Sequence, residues 1–87
     1  MKVLLHRDAA KYFERLSATD KGRLQVAFTG LEEEPPKGDI KPLVGQPNQH
    51  RLRVGSYRIL FRIENNAIFI LSIDPRGQAY KKKNRGK

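Results

Sequence analysis

The sequence predicts an α+β fold in the order β-α-α-β-β-β, with a helical hairpin packed on one face of a small, mostly antiparallel sheet. Three observations lead there. Apolar residues recur with helical spacing as far as residue 31. Ala9, Tyr12, Phe13 and Leu16, and then Leu24, Ala27, Phe28 and Leu31, each fall at i, i+3, i+4 and i+7. From residue 50 the period changes to 2. Between the two regimes stands Pro35-Pro36, and the second regime is cut by two turn signals, Gly55-Ser56 and Asn65-Asn66.

Lys2 to His6 reads as a first strand, with Val3, Leu4 and Leu5 apolar. Asp8 can cap a helix that runs to about Leu16. Ser17 to Asp20 breaks it and can cap a second helix. Gly22 and Gly30 each weaken that helix by roughly 1 kcal/mol relative to Ala. Glu32 to Glu34 lie where the helix dipole disfavours acids, and Pro35-Pro36 stops the helix. Residues 35–48 read as a Pro, Gly and Asn loop anchored by Leu43-Val44. His50 to Val54 and Tyr57 to Glu64 alternate as strands, and Ala67 to Ile73 is apolar on both faces and so an interior strand. Residues 1–80 form a single domain on this reading, and 81–87 a basic tail.

Length and composition exclude several classes. A chain of 87 residues is one domain that buries only about 60% of its unfolded surface, so its core is thin. Without cysteine there is no disulfide framework, no thiolate metal site and no thiol nucleophile. Two histidines are fewer than most all-protein zinc sites use. The apolar runs are too short to span a bilayer, and Met1-Lys2 leads into a strand-like segment rather than a signal peptide. A reduced, cytoplasmic setting with no membrane partner is the expectation.

The charge is unevenly placed. Residues 1–40 hold seven bases and seven acids, whereas residues 41–87 hold eleven bases against Glu64 and Asp74, which accounts for the whole net charge of +9. Such asymmetry points to a polyanionic partner: nucleic acid first, an acidic protein second.

Hairpin arithmetic turns this into geometry. A two-residue turn at 55–56 pairs Val54 with Tyr57, Arg53 with Arg58, Leu52 with Ile59 and Arg51 with Leu60. Leu52, Val54, Tyr57, Ile59, Phe61 and Ile63 then share the core face, and Arg51, Arg53, Arg58 and Arg62 share the other. Like charges directly opposite each other destabilise a sheet, so the Arg53–Arg58 pair needs an offset. Either the side chains splay into water or a phosphate sits between them. The second turn, at 65–66, pairs Ile63 with Ile68 and is expected to set Arg58 beside Ile73, with no acid close by. Arg76 follows three residues later, and Tyr80 comes within reach if the chain turns at Gly77. The expected cluster is Arg51, Arg53, Arg58, Arg76 and Tyr80. Guanidinium forks bind phosphate bidentately, and a tyrosine offers a stacking face for a base and a phenol for proton transfer. His50 falls on the face opposite Arg51 and reads as a packed or rim histidine, and His6 as structural.

These residues match a known pattern. His50-Arg51-Leu52-Arg53-Val54-Gly55-Ser56-Tyr57-Arg58-Ile59-Leu60-Phe61 resembles the RLRVG-x-YR core of the RelE/ParE toxin superfamily. Lys41-Pro42-Leu43-Val44-Gly45 resembles the K-x-L-x-G stretch before that core, and Arg76 to Tyr80 its R-x-x-x-Y finish. The resemblance covers nearly the whole chain and implies a toxin of a type II toxin–antitoxin system. RelE-type members are endoribonucleases that cut mRNA in the ribosomal A site. ParE-type members share the fold, inhibit DNA gyrase and lack the catalytic set. Both are held by an antitoxin in a hetero-oligomer.

On the RelE-type branch the resemblance gives Arg58 the scissile phosphate, Arg76 charge stabilisation or protonation of the leaving oxygen, and Tyr80 the role of base on the ribose 2′-hydroxyl. Arg51 falls where some members carry a functional lysine, and Gln49 where they carry another, so the acid–base set is thinner here. Arg53, Lys41, Lys81, Lys82 and Lys83 would contact RNA phosphates, those of ribosomal RNA included. The implied chemistry is metal-independent and uses no cofactor. A gyrase inhibitor and a plain nucleic-acid-binding module are the alternatives.

Overall fold

The computed structural model of the chain describes residues 1–75. Strand β1 (Lys2–Leu5) leads into helices α1 (Arg7–Glu14) and α2 (Ala18–Leu31), followed by β2 (Asp39–Pro42), β3 (Gln49–Val54), β4 (Tyr57–Glu64) and β5 (Ala67–Asp74). The strands form one five-stranded sheet in the order β1-β5-β4-β3-β2. β1 and β5 run parallel, and the other pairs are antiparallel. The α+β architecture is the expected one, with β5 inside the sheet.

Local chemistry explains the helix boundaries. α1 begins before the point where an Asp8 cap would place it. His6 is its N-cap, extended at φ −61° and ψ 151°, and its Nδ1 accepts from the Asp8 N–H at 3.2 Å. Ser17 caps α2, its Oγ accepting from the Asp20 N–H at 3.2 Å. The acids after α2 are offset by partners. Glu32 Oε2 accepts from the Val3 N–H at 2.8 Å, and Glu33 pairs with Lys37 at 3.2 Å. The Glu32 contact also covers an outward N–H of the edge strand β1, a group that would otherwise invite pairing with another chain.

The core lies between the helices and one face of the sheet. Ala9, Leu24, Phe28 and Leu31 pack against Leu52, Tyr57, Ile59, Phe61, Ile68, Ile70 and Ile73, all buried. Phe13 and Phe28 bridge the two helices with ring centroids 6.1 Å apart. Every predicted core-face residue of β3 and β4 is in or against this cluster. The opposite sheet face contributes nothing to it.

β2 corrects the sequence reading, which took residues 35–48 as loop. A four-residue edge strand containing Pro42 carries too little pattern to be recognised, and an edge position tolerates the missing N–H. Its entry depends on Gly38, at φ +139°, where an added Cβ would lie 2.8 Å from Leu52 Cδ1. Val44 is fully exposed and anchors nothing.

Candidate functional site

The β3–β4 hairpin sets the site. Gly55, at φ +59°, supplies the left-handed residue that a tight two-residue turn needs. The register is the one expected: Val54↔Tyr57, Arg53↔Arg58, Leu52↔Ile59 and Arg51↔Leu60. Alternation then places Arg51, Arg53, Arg58 and Arg62 on the face away from the helices. Lys41 joins them from β2, opposite Arg51. Arg53 is exposed and Arg58 half-buried, with Cβ atoms expected about 5 Å apart.

The hairpin is fastened from the other side. Tyr57, buried at the start of β4, donates its phenol hydrogen to Asp20 Oδ2 at 2.8 Å. That hydrogen bond, with burial and the Asp20 charge behind it, pushes the Tyr57 pKa up to about 12. The residue just before Arg58 is therefore pinned to the first turn of α2.

The second hairpin departs from the expectation. Asn65 and Asn66, at φ +52° and +61°, form a tight turn and pair Ile63 with Ile68. A β-bulge then intervenes. Phe61 pairs with Ile70 but Leu60 with Ser72, so Leu71 is the extra residue. The one-residue shift sets Asp74, not Ile73, opposite Arg58.

Acids consequently stand within the arginine face, which the sequence reading missed. Asp39 lies opposite Arg53 and its Oδ2 is 3.8 Å from Arg51 Nη1. Glu64 Oε1 is 3.0 Å from Arg62 Nε. Arg51 is largely buried, its side chain only 13% exposed, and its Nη1 is buried without a hydrogen bond. The cluster thus grades from Arg51, largely buried, through Arg62, beside Glu64, to Arg53, which is exposed. Only β2 could have revealed Asp39, and only the bulge Asp74.

His50 sits on the helix side, stacked on Phe61 with centroids 5.3 Å apart, as a packed histidine. Two clefts of about 360 Å³ each lie beside it. One is bounded by residues 42–50, the other by Pro36, Gly38, Ile40, His50, Phe61 and Ile63. Neither includes an arginine of the cluster. Among the described residues the arginines line a strand face rather than either cleft, an arrangement that suits an extended ligand better than a small enclosed one. Arg76, Tyr80, Lys81, Lys82 and Lys83 lie outside the described residues. Among the described residues no helix is long and apolar enough to cross a membrane.

Comparison with known proteins follows the same line. The fold resembles the archaeal RelE–RelB complex from Pyrococcus horikoshii OT3, with a TM-score of 0.74 and 28% identity over 88% of this chain and 96% of that one. It also resembles the RelB–RelE antitoxin–toxin complex from Methanococcus jannaschii, with a TM-score of 0.71 and 22% identity over 91% and 96%. A third likeness is the toxin–antitoxin RelBE complex from Mycobacterium tuberculosis, with a TM-score of 0.70 and 24% identity over 84% and 94%. No curated protein sequence matches. The family model described as the ParE toxin of the type II toxin–antitoxin system matches residues 3–80. The chain belongs to this toxin family, within the RelE/ParE superfamily of type II toxin–antitoxin systems.

Proposed function

We propose that this toxin is a RelE-type endoribonuclease that cleaves mRNA in the ribosomal A site. The observation that carries the reading is the set of arginines gathered on the sheet face away from α1 and α2, with Arg53 opposite Arg58. Asp39 and Asp74 flank this pair from the neighbouring strands and offset part of the repulsion, and a phosphate between the two guanidinium groups would take up the rest. The reaction is transesterification. The ribose 2′-oxygen attacks the adjacent phosphorus, the bond to the 5′-oxygen breaks, and the products are a 2′,3′-cyclic phosphate and a 5′-hydroxyl. Tyr80 takes the 2′-hydroxyl proton, and Arg76 stabilises charge or supplies the proton to the leaving oxygen. Arg58 holds the scissile phosphate, and Arg51 and Arg53 neutralise charge developing around it. Lys41 and the Lys81, Lys82 and Lys83 run contact RNA phosphates along the substrate and in the ribosome. The archaeal neighbours described above are complexes with RelB, and a cognate antitoxin that holds this toxin in a cytoplasmic hetero-oligomer is part of the proposal.

One observation favours a second reading: the matching family model is that of ParE toxins, and the superfamily's ParE-type members inhibit DNA gyrase. Primer extension on mRNA from cells briefly expressing the wild type, Arg58→Ala or Tyr80→Phe separates the two. New cuts in translated regions, absent from both variants, are expected. Intact mRNA with growth arrest would move the assignment to gyrase inhibition. Intact mRNA with normal growth would leave a non-catalytic binding module.

A further inference from the structure

The arginine face has a second half. On the same side of the sheet, β5 presents Phe69 directly opposite Arg62, and β1 presents Leu4 directly opposite Phe69. Both belong to the face away from α1 and α2. Their neighbours Val3, Leu5, Ile68 and Ile70 pack with the helices, and Leu4 and Phe69 do not. Leu4 is 39% exposed and Phe69 is half-buried. Phe69 is thus an aromatic ring kept out of a thin core, on the sheet face away from α1 and α2 and beside a guanidinium. Phe and Leu buried inward would stabilise such a small domain more.

The arrangement joins two requirements of single-strand recognition on one surface: a row of cations for the phosphates and an aromatic face for a base. The arginines of β3 and β4 favour a polyanion, and Phe69 flanks that row rather than interrupting it. Arg62 lies about 13 Å along β4 from Arg58, so the ring stands beside the phosphate row and away from the Arg58 end. Peptide docking would use the same apolar stripe, but the adjoining charge is a line of guanidinium forks, whose planar geometry matches phosphate.

We propose that Phe69 is a stacking platform for a nucleobase about two nucleotides along the strand from the phosphate held at Arg58, with Leu4 supporting the ring's outer edge. This assigns a base-contacting residue outside the arginine–tyrosine set, and it rests on the RNA-cleaving reading above. The platform is tolerant of sequence, because every base has a π-face, and it positions the strand rather than taking part in bond breaking.

The test uses the full chain and a fluorescent single-stranded 2′-O-methyl RNA, which cannot be cut, beside the same backbone carrying abasic positions. Phe69→Leu is expected to weaken binding of the intact oligomer about 5-fold or more, with Phe69→Tyr close to wild type. The abasic oligomer should bind wild type more weakly and lose nothing further with Phe69→Leu. Circular dichroism melts should coincide, since residue 69 lies outside the core. Binding of the intact oligomer that depends on Arg58 but not on residue 69 would overturn this proposal and leave the RNA reading standing. Equal weakening of the intact and abasic oligomers by Phe69→Leu would overturn it in the same way. No binding of either oligomer by wild type would overturn the platform, while the RNA-cleaving reading stands or falls on the primer-extension result. Loss of the cognate antitoxin from Phe69→Leu, with RNA binding unchanged, would reassign the stripe to protein docking.

Discussion

Replacing Tyr57 by Phe exchanges the phenol hydroxyl for a hydrogen and tests what holds the arginine hairpin in place. The lost bond, phenol to Asp20 Oδ2 at 2.8 Å, is charge-assisted and belongs to a residue only 8% exposed. Bonds to charged groups contribute about 1.5–3 kcal/mol, and Asp20 recovers part of this by rehydration, which leaves roughly 1–2 kcal/mol. The phenol pKa, raised to about 12 from an ordinary 10, points the same way: the protonated phenol is the form the native state favours. In a domain of this size each kcal/mol moves Tm by about 4–8 °C, so Tyr57→Phe should melt about 5–15 °C below wild type near neutral pH. The sign of the pH dependence follows from the direction of the shift. The native state keeps the phenol protonated, so the contribution is complete below pH 10 and is lost as pH rises from 10 through 12. Thermal melts by circular dichroism at pH 7 and about pH 11.5 should show the gap between wild type and variant closing. Asp20→Asn combined with Tyr57→Phe should cost less than the two separate losses added together. Equal melting temperatures at neutral pH, or a gap that does not change with alkali, would refute the clasp.

Two further outcomes follow from the charges around the site and the edge of the sheet. Asp39→Asn removes a carboxylate 3.8 Å from Arg51 and opposite Arg53, and should tighten single-stranded RNA binding by about 2- to 5-fold at low salt, fading as salt rises. Fluorescence anisotropy across a salt series measures it, and an unchanged or weaker affinity would show that Asp39 positions Arg51 more than it opposes the ligand. Glu32→Ala leaves the Val3 N–H without its 2.8 Å acceptor, and should cost about 1 kcal/mol in urea unfolding and increase self-association through the β1 edge. Unfolding midpoints and sedimentation velocity check both parts.

Much of this molecule is legible in its sequence because its decisive interactions are local. The two amphipathic runs specify helices whose apolar faces meet the core, and Leu24, Phe28 and Leu31 are buried as their spacing requires. The Gly55-Ser56 turn sets the β3–β4 register outright, because a two-residue loop leaves no freedom in pairing, and the period of 2 then carries Arg51, Arg53, Arg58 and Arg62 to one face. What only the tertiary structure decided is non-local. The bulge at Leu71 has no signature in a run of apolar residues, yet it moves Asp74 opposite Arg58. β2 exists because a neighbour offers it hydrogen bonds, and with it comes Asp39 beside Arg51. The acids after α2, disfavoured by the helix dipole alone, are retained because Val3 and Lys37 come near in space. Periodicity and turn chemistry determine which face a side chain occupies. Which charge it meets there depends on pairing between distant segments, whose register is set by the packing of the whole sheet.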